Sequence, residues 1–262
     1  SAAVAHVVVV AFPFASHAVK LFRIARAPAA AAPAATFSLL CTAAQLQEQQ
    51  KHNKLLEDLR FMEVLDGLSS SSESDGAAAA LPPHPKMRLK LFMEAAAAGG
   101  LREALERARA SAGGARVTCV VGDSFMWMAA KAAAEVEAPW VAVWTGGPSA
   151  LLAHLRADAL RDDIGDKAAS RADELLTSHP GFGSYEVRDL PNGIVSGDMK
   201  SPIISLFHRI AEHLPCGATA VAFNTFPGLV PDDLTAAVAA ELPECLPVGI
   251  FPTLPPSTVP WQ

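Results

Sequence analysis

Two side chains suited to proton transfer follow apolar runs that have the composition of buried strands. His17 comes shortly after the β-branched run His6–Phe12, and Asp123 ends the run VTCVVGD. A neutral imidazole can take a proton from a substrate hydroxyl near neutral pH. A carboxylate on its other ring nitrogen would fix the tautomer and favour the imidazolium that forms. If both runs are strands of one parallel sheet, His17 and Asp123 lie at the same edge and are a candidate base and acidic partner.

Simpler interpretations of these residues remain open at this point. From its position alone, His17 is more often an ordinary surface or capping histidine, and Asp123 or Ser124 could cap the next helix. Spacing does not decide between these interpretations, but the shared sheet edge supports the pair better than either member alone. Ser16 lies in the same loop as His17 and is a candidate helix cap or substrate contact.

A third group of candidates follows the apolar run WVAVW. Thr145 comes directly after it, Gly146-Gly147 would let the backbone approach a ligand, and Pro148 suits the first turn of a helix. His154 follows Thr145 by about two and a half helical turns. A second catalytic histidine is one interpretation of His154, but a pocket-lining or exposed histidine is favoured.

Several classes of site are disfavoured by motifs that the sequence lacks. The first strand is followed by FPFASHA rather than GxGxxG, so a dinucleotide-binding oxidoreductase is a poor interpretation. No GxSxG segment is present, which argues against an esterase or lipase. The cysteines are far apart, without a CxxC pair, and a zinc site is therefore not expected; they are Cys41, Cys119, Cys216 and Cys245.

Charge and hydropathy restrict the partners and the compartment. The chain has 21 Lys and Arg against 27 Asp and Glu, a net charge of -6, which argues against a nucleic-acid partner. No apolar run approaches the ~20 residues of a membrane helix. Core thiols without a disulfide pattern fit a reducing compartment. We therefore expect a cytoplasmic protein without stable membrane insertion.

Strand-like and helix-like segments alternate along the whole chain. The predicted strands are His6–Phe12, Ala35–Thr42, Arg60–Leu65, Val117–Gly122, Trp140–Trp144, Ala220–Asn224 and Leu246–Ile250. The predicted helices are Ser16–Ala27, Ala43–Leu59, Met87–Ala110 with a break at Gly99-Gly100, Phe125–Glu137, Ser149–Ile164, Pro202–Leu214 and Pro231–Leu242. This alternation predicts an α/β fold, a Rossmann-like parallel sheet flanked by helices, with ligands beyond the carboxyl ends of the strands. The Ser- and Pro-rich segment 66–85 is expected to be a mobile loop.

The same motifs resemble the N-terminal half of plant family 1 UDP-glycosyltransferases, above all the flavonoid 3-O-glucosyltransferases of grasses. The resemblance rests on HVVVVAFPFASHA, GGARVTCVVGDSFMW, APWVAVWTGGPSALLAH, YEVRDLPNGIVSGD and AVAFNTFPGL, and it covers nearly the whole chain. It implies the N-terminal domain of a GT-B fold, with an acceptor-binding domain at 1–250 and the start of an interdomain linker at 251–262. The resemblance implies glucose transfer from UDP-glucose to the 3-hydroxyl of a flavonoid, with inversion, without a metal or covalent intermediate.

The resemblance also implies roles for individual residues. His17 corresponds to the base that deprotonates the acceptor, and Asp123 to its acidic partner. The other positions correspond to the substrate-binding site: Phe14 and Phe125 beside the aromatic acceptor, Thr145 near the donor sugar, His154 near the flavonoid, with Ser16 and Lys86 as further contacts. Lys86 stands where relatives often have Gln or Arg.

Further features depart from the family pattern. Lys20 stands in place of a usual Pro after His17. Pro28 replaces a usual Leu and is expected to end its helix early. Nothing matches the C-terminal signature box that contacts the UDP moiety, so we expect the donor domain to be absent and the isolated chain to be catalytically incompetent or nearly so. A non-catalytic flavonoid-binding or regulatory protein of the same fold is the alternative function.

Overall fold

The computed structural model describes residues 5–14, 17–52, 59–67, 84–198 and 200–249. The chain divides into two compact units, residues 1–140 and 141–262. Every strand pair recorded within either unit is parallel, and helices connect successive strands. The parallel α/β architecture expected from the sequence is therefore confirmed.

The first unit contains four strands in the order β3-β2-β1-β4. These strands are β1 His6–Val10, β2 Thr36–Cys41, β3 Leu59–Glu63 and β4 Val117–Asp123. The helices are α1 His17–Ala31, α2 Ala43–His52, α3 Pro85–Ala95, α4 Leu101–Ser111 and α5 Ala129–Glu135. Because β1 is central, its β-branched side chains are covered on both faces, and Val8 and Val10 are fully buried.

Helix α4 shows how the sequence pattern builds this core. Its buried residues are Leu101, Ala104, Leu105 and Ala108, which recur at the three- and four-residue spacing of one helix face. A π-helical turn, Ala96–Gly100, joins α3 to α4. Gly99 has a φ of 125°, a conformation that other residues rarely adopt. The predicted break at Gly99-Gly100 is therefore confirmed.

The second unit contains three strands in the order β5-β6-β7. These are β5 Trp140–Trp144, whose first residue belongs to the first unit, β6 Ala220–Phe223 and β7 Cys245–Pro247. The helices are α6 Pro148–Leu155, α7 Ala157–Ile164, α8 Pro202–Gly217 and α9 Asp232–Glu241. All four residues of β6 are buried, as expected for the middle strand.

Three local predictions were wrong. Pro28 does not end α1, which continues to Ala31; the proline lies in the last turns, and Ala32 N donates to its carbonyl oxygen at 2.9 Å. The predicted helix 149–164 is two helices that meet at Arg156, whose φ of -107° and ψ of 19° depart from helical values. The segment after Asp123 forms turns up to Met128, so α5 begins at Ala129 rather than at Phe125.

Other predictions fall on residues that the structure does not describe. The mobile-loop prediction concerns mainly residues 68–83, and the linker prediction concerns residues 251–262; both segments lie outside the described residues. The domain boundary at residue 250 therefore stays a prediction.

Candidate active site

The pairing of β1 with β4 brings the two candidate proton-transfer groups together. Val10, the last residue of β1, pairs with Gly122, directly before Asp123. His17 is the first residue of α1 and reaches back to the end of β4. Its Nδ1 atom lies 2.7 Å from Oδ2 of Asp123. The structure therefore places both residues at the carboxyl edge of the sheet, as the sequence predicts.

The second carboxylate oxygen of Asp123 is also engaged. Oδ1 accepts a hydrogen bond of 3.0 Å from the backbone N–H of Phe125. The side chain of Asp123 is fully buried, whereas that of His17 is 17% exposed. Asp123 thus orients the imidazole and accepts from an amide of the following turn, but the helix-cap interpretation is wrong because α5 begins only at Ala129. This fixed carboxylate makes Nδ1 the donor and leaves Nε2 as the ring nitrogen that can accept a proton.

Aromatic rings surround the imidazole. Phe125 contacts His17 edge-on with centroids 4.8 Å apart, and Phe12 does so at 5.3 Å. Phe14 packs against Phe12 at 5.1 Å and against Phe92 of α3 at 5.8 Å. These rings supply apolar walls near a group that can move a proton. Phe14 and Phe125, predicted to lie beside an aromatic ligand, both lie in the aromatic cluster around the His17–Asp123 pair, which we call the dyad.

A cavity of about 260 Å³ is bordered by Phe14; we call it the α2–α3 cavity. The apolar residues that line it within the described part of the chain are Pro13, Phe14, Ala44 and Phe92. The polar ones are Thr42, Gln45, Asp66 and Arg88. Pro13, Thr42 and Asp66 each follow a strand, so the cavity opens at the sheet edge that also carries the dyad.

Gly67 lets the chain after β3 approach α3 closely. Its φ is 74°, and a Cβ atom built there would lie 2.6 Å from the carbonyl oxygen of Leu91. Glycine is therefore needed on both counts, since it tolerates the left-handed conformation and leaves room for the helix backbone. This approach places Asp66 against the helix that carries Arg88 and Phe92.

Arg88 is a residue of this region that the sequence interpretation missed. It lies on α3 four residues before the buried Phe92, so the two share a helix face. That spacing, next to the aromatic residue, was the signal available in the sequence. Lys86, the predicted contact, is exposed in the first turn of α3 and is not part of the cavity lining. Its backbone N–H donates to Nδ1 of His84 at 3.3 Å.

In the second unit, Thr145 and His154 are both buried. The imidazole of His154 stacks on Phe207, with centroids 3.8 Å apart and planes 4° apart. Burial, with smaller contributions from His208 and Arg161, lowers the pKa of His154 to about 4. His154 is therefore a neutral, packed ring, and the interpretation as an exposed histidine is wrong. Whether it contacts a substrate stays a prediction.

The glycines after β5 have a packing reason of their own. Nε1 of Trp144 donates to the carbonyl oxygen of Gly147 at 2.9 Å, and a Cβ at Gly146 would lie 3.1 Å from the same nitrogen. The indole folds back over the loop, which accounts for small residues there without a ligand. Pro148 occupies the first turn of α6, as predicted.

Among the remaining candidates, Ser16 lies outside the described residues. The four cysteines are free thiols, and no set of three or more His, Cys, Asp or Glu side chains within the described ranges could hold a metal ion. None of the helices in the part of the chain that the structure describes has the length and hydropathy to cross a membrane.

Comparisons with known proteins show which family the chain resembles. The family model "UDP-glucoronosyl and UDP-glucosyl transferase" matches residues 35–258. The chain is 56% identical over 254 residues to an anthocyanidin 3-O-glucosyltransferase of Zea mays. This alignment covers 94% of this chain and 52% of the relative. It is 59% identical over 251 residues to an anthocyanidin 3-O-glucosyltransferase of Hordeum vulgare, with 95% of this chain and 53% of the relative covered.

A solved structure of a UDP-glucose: anthocyanidin 3-O-glucosyltransferase in complex with UDP superposes with a TM-score of 0.79. The two are 25% identical, and the match covers 98% of this chain and 55% of that one. The expected GT-B fold class is thereby confirmed. The chain spans about half the length of the curated relatives it matches. On the family model and these relatives together, the chain belongs to the UDP-glucoronosyl and UDP-glucosyl transferase family.

Proposed function

We propose that this chain supplies the acceptor site and the catalytic base for transfer of glucose from UDP-glucose to the 3-hydroxyl of a flavonoid. The observation that carries the proposal is the bond between His17 and Asp123 at the carboxyl edge of the sheet. The similarity to the anthocyanidin 3-O-glucosyltransferases of maize and barley supports the choice of donor and acceptor.

In the proposed reaction, Nε2 of His17 takes the proton of the acceptor hydroxyl. The acceptor oxygen forms a bond to the anomeric carbon of glucose while the bond from that carbon to the UDP oxygen breaks. UDP leaves with the bonding electron pair, and displacement from the opposite face inverts the anomeric configuration. The Asp123 carboxylate stabilises the imidazolium, which is the contribution that a buried, hydrogen-bonded carboxylate makes in related acid–base dyads.

Other residues receive supporting roles in this proposal. Phe14 and Phe125 present ring faces or edges that favour contact with an aromatic acceptor. Thr145 is proposed to face the donor sugar and His154 the flavonoid, while Ser16 and Lys86 are proposed as further substrate contacts.

We also infer a cytoplasmic location and no nucleic-acid partner. The net charge of -6 disfavours phosphate backbones. The free thiols of all four cysteines fit a reducing compartment.

The proposal can be tested with a chimera that joins this chain to the C-terminal half of the maize relative. The chimera, UDP-glucose and the flavonol quercetin are incubated, and the product is identified by mass spectrometry. We expect a 3-O-glucoside, and we expect the His17→Ala variant to lose at least ~10²-fold in turnover. Turnover retained by His17→Ala would refute the base assignment. Quercetin binding without product from the unsubstituted chimera would instead support a binding or regulatory protein.

A further inference from the structure

We propose that Arg88 is a specificity-determining residue that donates hydrogen bonds to hydroxyl groups on the pendant ring of the acceptor, the phenyl ring that is not fused to the ring carrying the reacting hydroxyl. The inference rests on the proposed function, and it assigns the α2–α3 cavity to that pendant ring. The acceptor class is thereby narrowed to flavonoids with vicinal hydroxyl groups on the pendant ring.

The aromatic contacts connect the cavity to the dyad. Phe12 touches His17 and Phe14, with centroids 5.3 and 5.1 Å apart. Phe14 in turn packs on Phe92, and both line the cavity. An acceptor whose reacting hydroxyl lies at His17 can therefore place its pendant ring in the cavity by packing along Phe14.

The size of the cavity suits one ring rather than a whole acceptor. Its volume is about 260 Å³, below the ~300–1,000 Å³ of sites that enclose a complete drug-sized ligand. Pro13, Phe14 and Phe92 offer apolar surface, against which an aromatic ring packs favourably.

The polar side of the cavity matches hydroxyl groups. Within the described part of the chain, the Arg88 guanidinium makes no hydrogen bond or ion pair, so its five N–H donors are available to a ligand. Asp66 contributes carboxylate oxygens to the same lining. The side chain of Gln45 is fixed by its Oε1 atom, which accepts a hydrogen bond of 3.2 Å from the backbone N–H of Thr42.

The charges of the described lining residues do not favour an anionic ligand. Among these residues the cation is Arg88 and the carboxylate is Asp66. A carboxylate or phosphate on the ligand would be attracted by the first and repelled by the second. Two adjacent phenolic hydroxyls can donate to a carboxylate oxygen of Asp66 and accept from the Arg88 guanidinium at once.

Binding of two flavonols to the 262-residue chain tests the inference. Quercetin has two vicinal hydroxyls on its pendant ring, whereas the pendant ring of galangin has none. Isothermal titration calorimetry measures the dissociation constants of both flavonols. We expect Arg88→Met to weaken quercetin binding about five- to tenfold, because an exposed charged hydrogen bond competes with water. Galangin binding should change less than about twofold.

The matched control is Lys90→Met, which removes the same charge from the same helix. Lys90 lies outside the cavity lining and forms an exposed pair with Glu94 at 3.8 Å, so neither flavonol should be affected. A second variant, Arg88→Lys, keeps the positive charge but lacks the planar guanidinium with its several N–H donors, and it should recover part of the quercetin affinity.

Three results would each overturn the inference. In the first, Arg88→Met weakens the binding of both flavonols equally; in the second, it changes the binding of neither. In the third, neither flavonol binds to the unsubstituted chain. In the chimera, glucosylation with an unchanged quercetin-to-galangin ratio in Arg88→Met would overturn the inference and leave the proposed function standing. An unsubstituted chimera that glucosylates no flavonoid would count against the proposed function. The inference would then be decided by the calorimetric comparison alone, that is, by whether Arg88→Met weakens quercetin binding more than galangin binding.

Discussion

Nδ1 of His17 lies 2.7 Å from Oδ2 of Asp123, and the other oxygen of that carboxylate accepts from the backbone N–H of Phe125 at 3.0 Å. The carboxylate is held from both sides and is fully buried, so it cannot rotate away without leaving the Phe125 amide unsatisfied. The imidazole is therefore oriented before any ligand arrives, which is the condition for efficient proton transfer.

The first prediction concerns Asp123→Asn in the chimera with the maize half. The amide can donate to Nδ1 and so favour the tautomer that has no lone pair on Nε2. We expect kcat for quercetin to fall by about 10²–10⁴-fold with a much smaller change in KM. Steady-state kinetics with mass-spectrometric product detection would measure both constants.

Ser124→Ala is the matched control for that variant. Within the described residues, the buried Oγ of Ser124 has no hydrogen-bond partner, so its removal should leave kcat unchanged and stability equal or slightly higher. If Asp123→Asn kept full kcat, the carboxylate would have only its structural role toward Phe125.

The sequence predicted the dyad because Asp123 ends one strand-like run and His17 follows another, but it did not predict that β1 and β4 are neighbours. That adjacency depends on where the intervening helices pack, which is a tertiary property. Strand β5 was predicted with its observed bounds, Trp140–Trp144, because an uninterrupted apolar run bounded by Pro and Thr has few alternatives.

Other features depended on local backbone geometry that residue types alone do not determine. The break at Arg156 has no glycine or proline to mark it, and Pro28 was tolerated near the end of α1. Arg88 was overlooked because a basic residue in an exposed helix turn is ordinarily solvated. Only the cavity beside it distinguishes Arg88 from its neighbours on α3.

The second prediction concerns Gly67→Ala, which tests how the chain after β3 is held against α3. The added methyl would meet the Leu91 carbonyl oxygen at 2.6 Å in a conformation with φ of 74°. Strain and overlap together should lower the free energy of unfolding by about 2–4 kcal/mol, as measured by urea denaturation. Quercetin affinity should fall as well, because Asp66 would be displaced from the cavity.

The control for this prediction is Gly114→Ala, in the same unit. Gly114 has a similar φ of 81°, but a Cβ there would meet nothing within 4 Å. Only the conformational cost of about 1 kcal/mol should appear. Equal destabilisation by the two variants would show that close approach to Leu91 contributes nothing.

The third prediction concerns thiol reactivity. Burial, with a smaller contribution from the charge of Glu63, raises the pKa of the Cys41 thiol to about 12, and burial also raises the pKa of Cys119 and of Cys245. Cys216 is exposed. Since the thiolate is the reactive form, iodoacetamide at about pH 8 should modify Cys216 first and Cys41 only after unfolding, as peptide mass spectrometry would measure. Rapid modification of Cys41 in the native chain would contradict its burial.

The last prediction concerns the pH dependence of stability that His154 introduces. Burial holds the pKa of His154 at about 4, below the ordinary histidine value of 6.5. Between these two values the unfolded chain binds a proton that the folded chain does not, so the stabilising contribution is complete above about pH 6.5 and is lost as the pH falls toward 4. At about 1.4 kcal/mol per pKa unit, the loss approaches 3 kcal/mol.

His154→Gln isolates this effect, because glutamine cannot titrate. Its stability at neutral pH should be lower, since the stacking on Phe207 at 3.8 Å is removed. Its unfolding free energy should, however, decline less steeply than that of the unsubstituted chain between about pH 6.5 and 4. Burial also lowers the pKa of His6, so a residual slope is expected in both proteins and only their difference reports on His154. If the unfolding free energies of the two proteins, measured by urea denaturation, declined equally between about pH 6.5 and 4, His154 would accept its proton in the folded state. Water would then reach the ring despite the stacking.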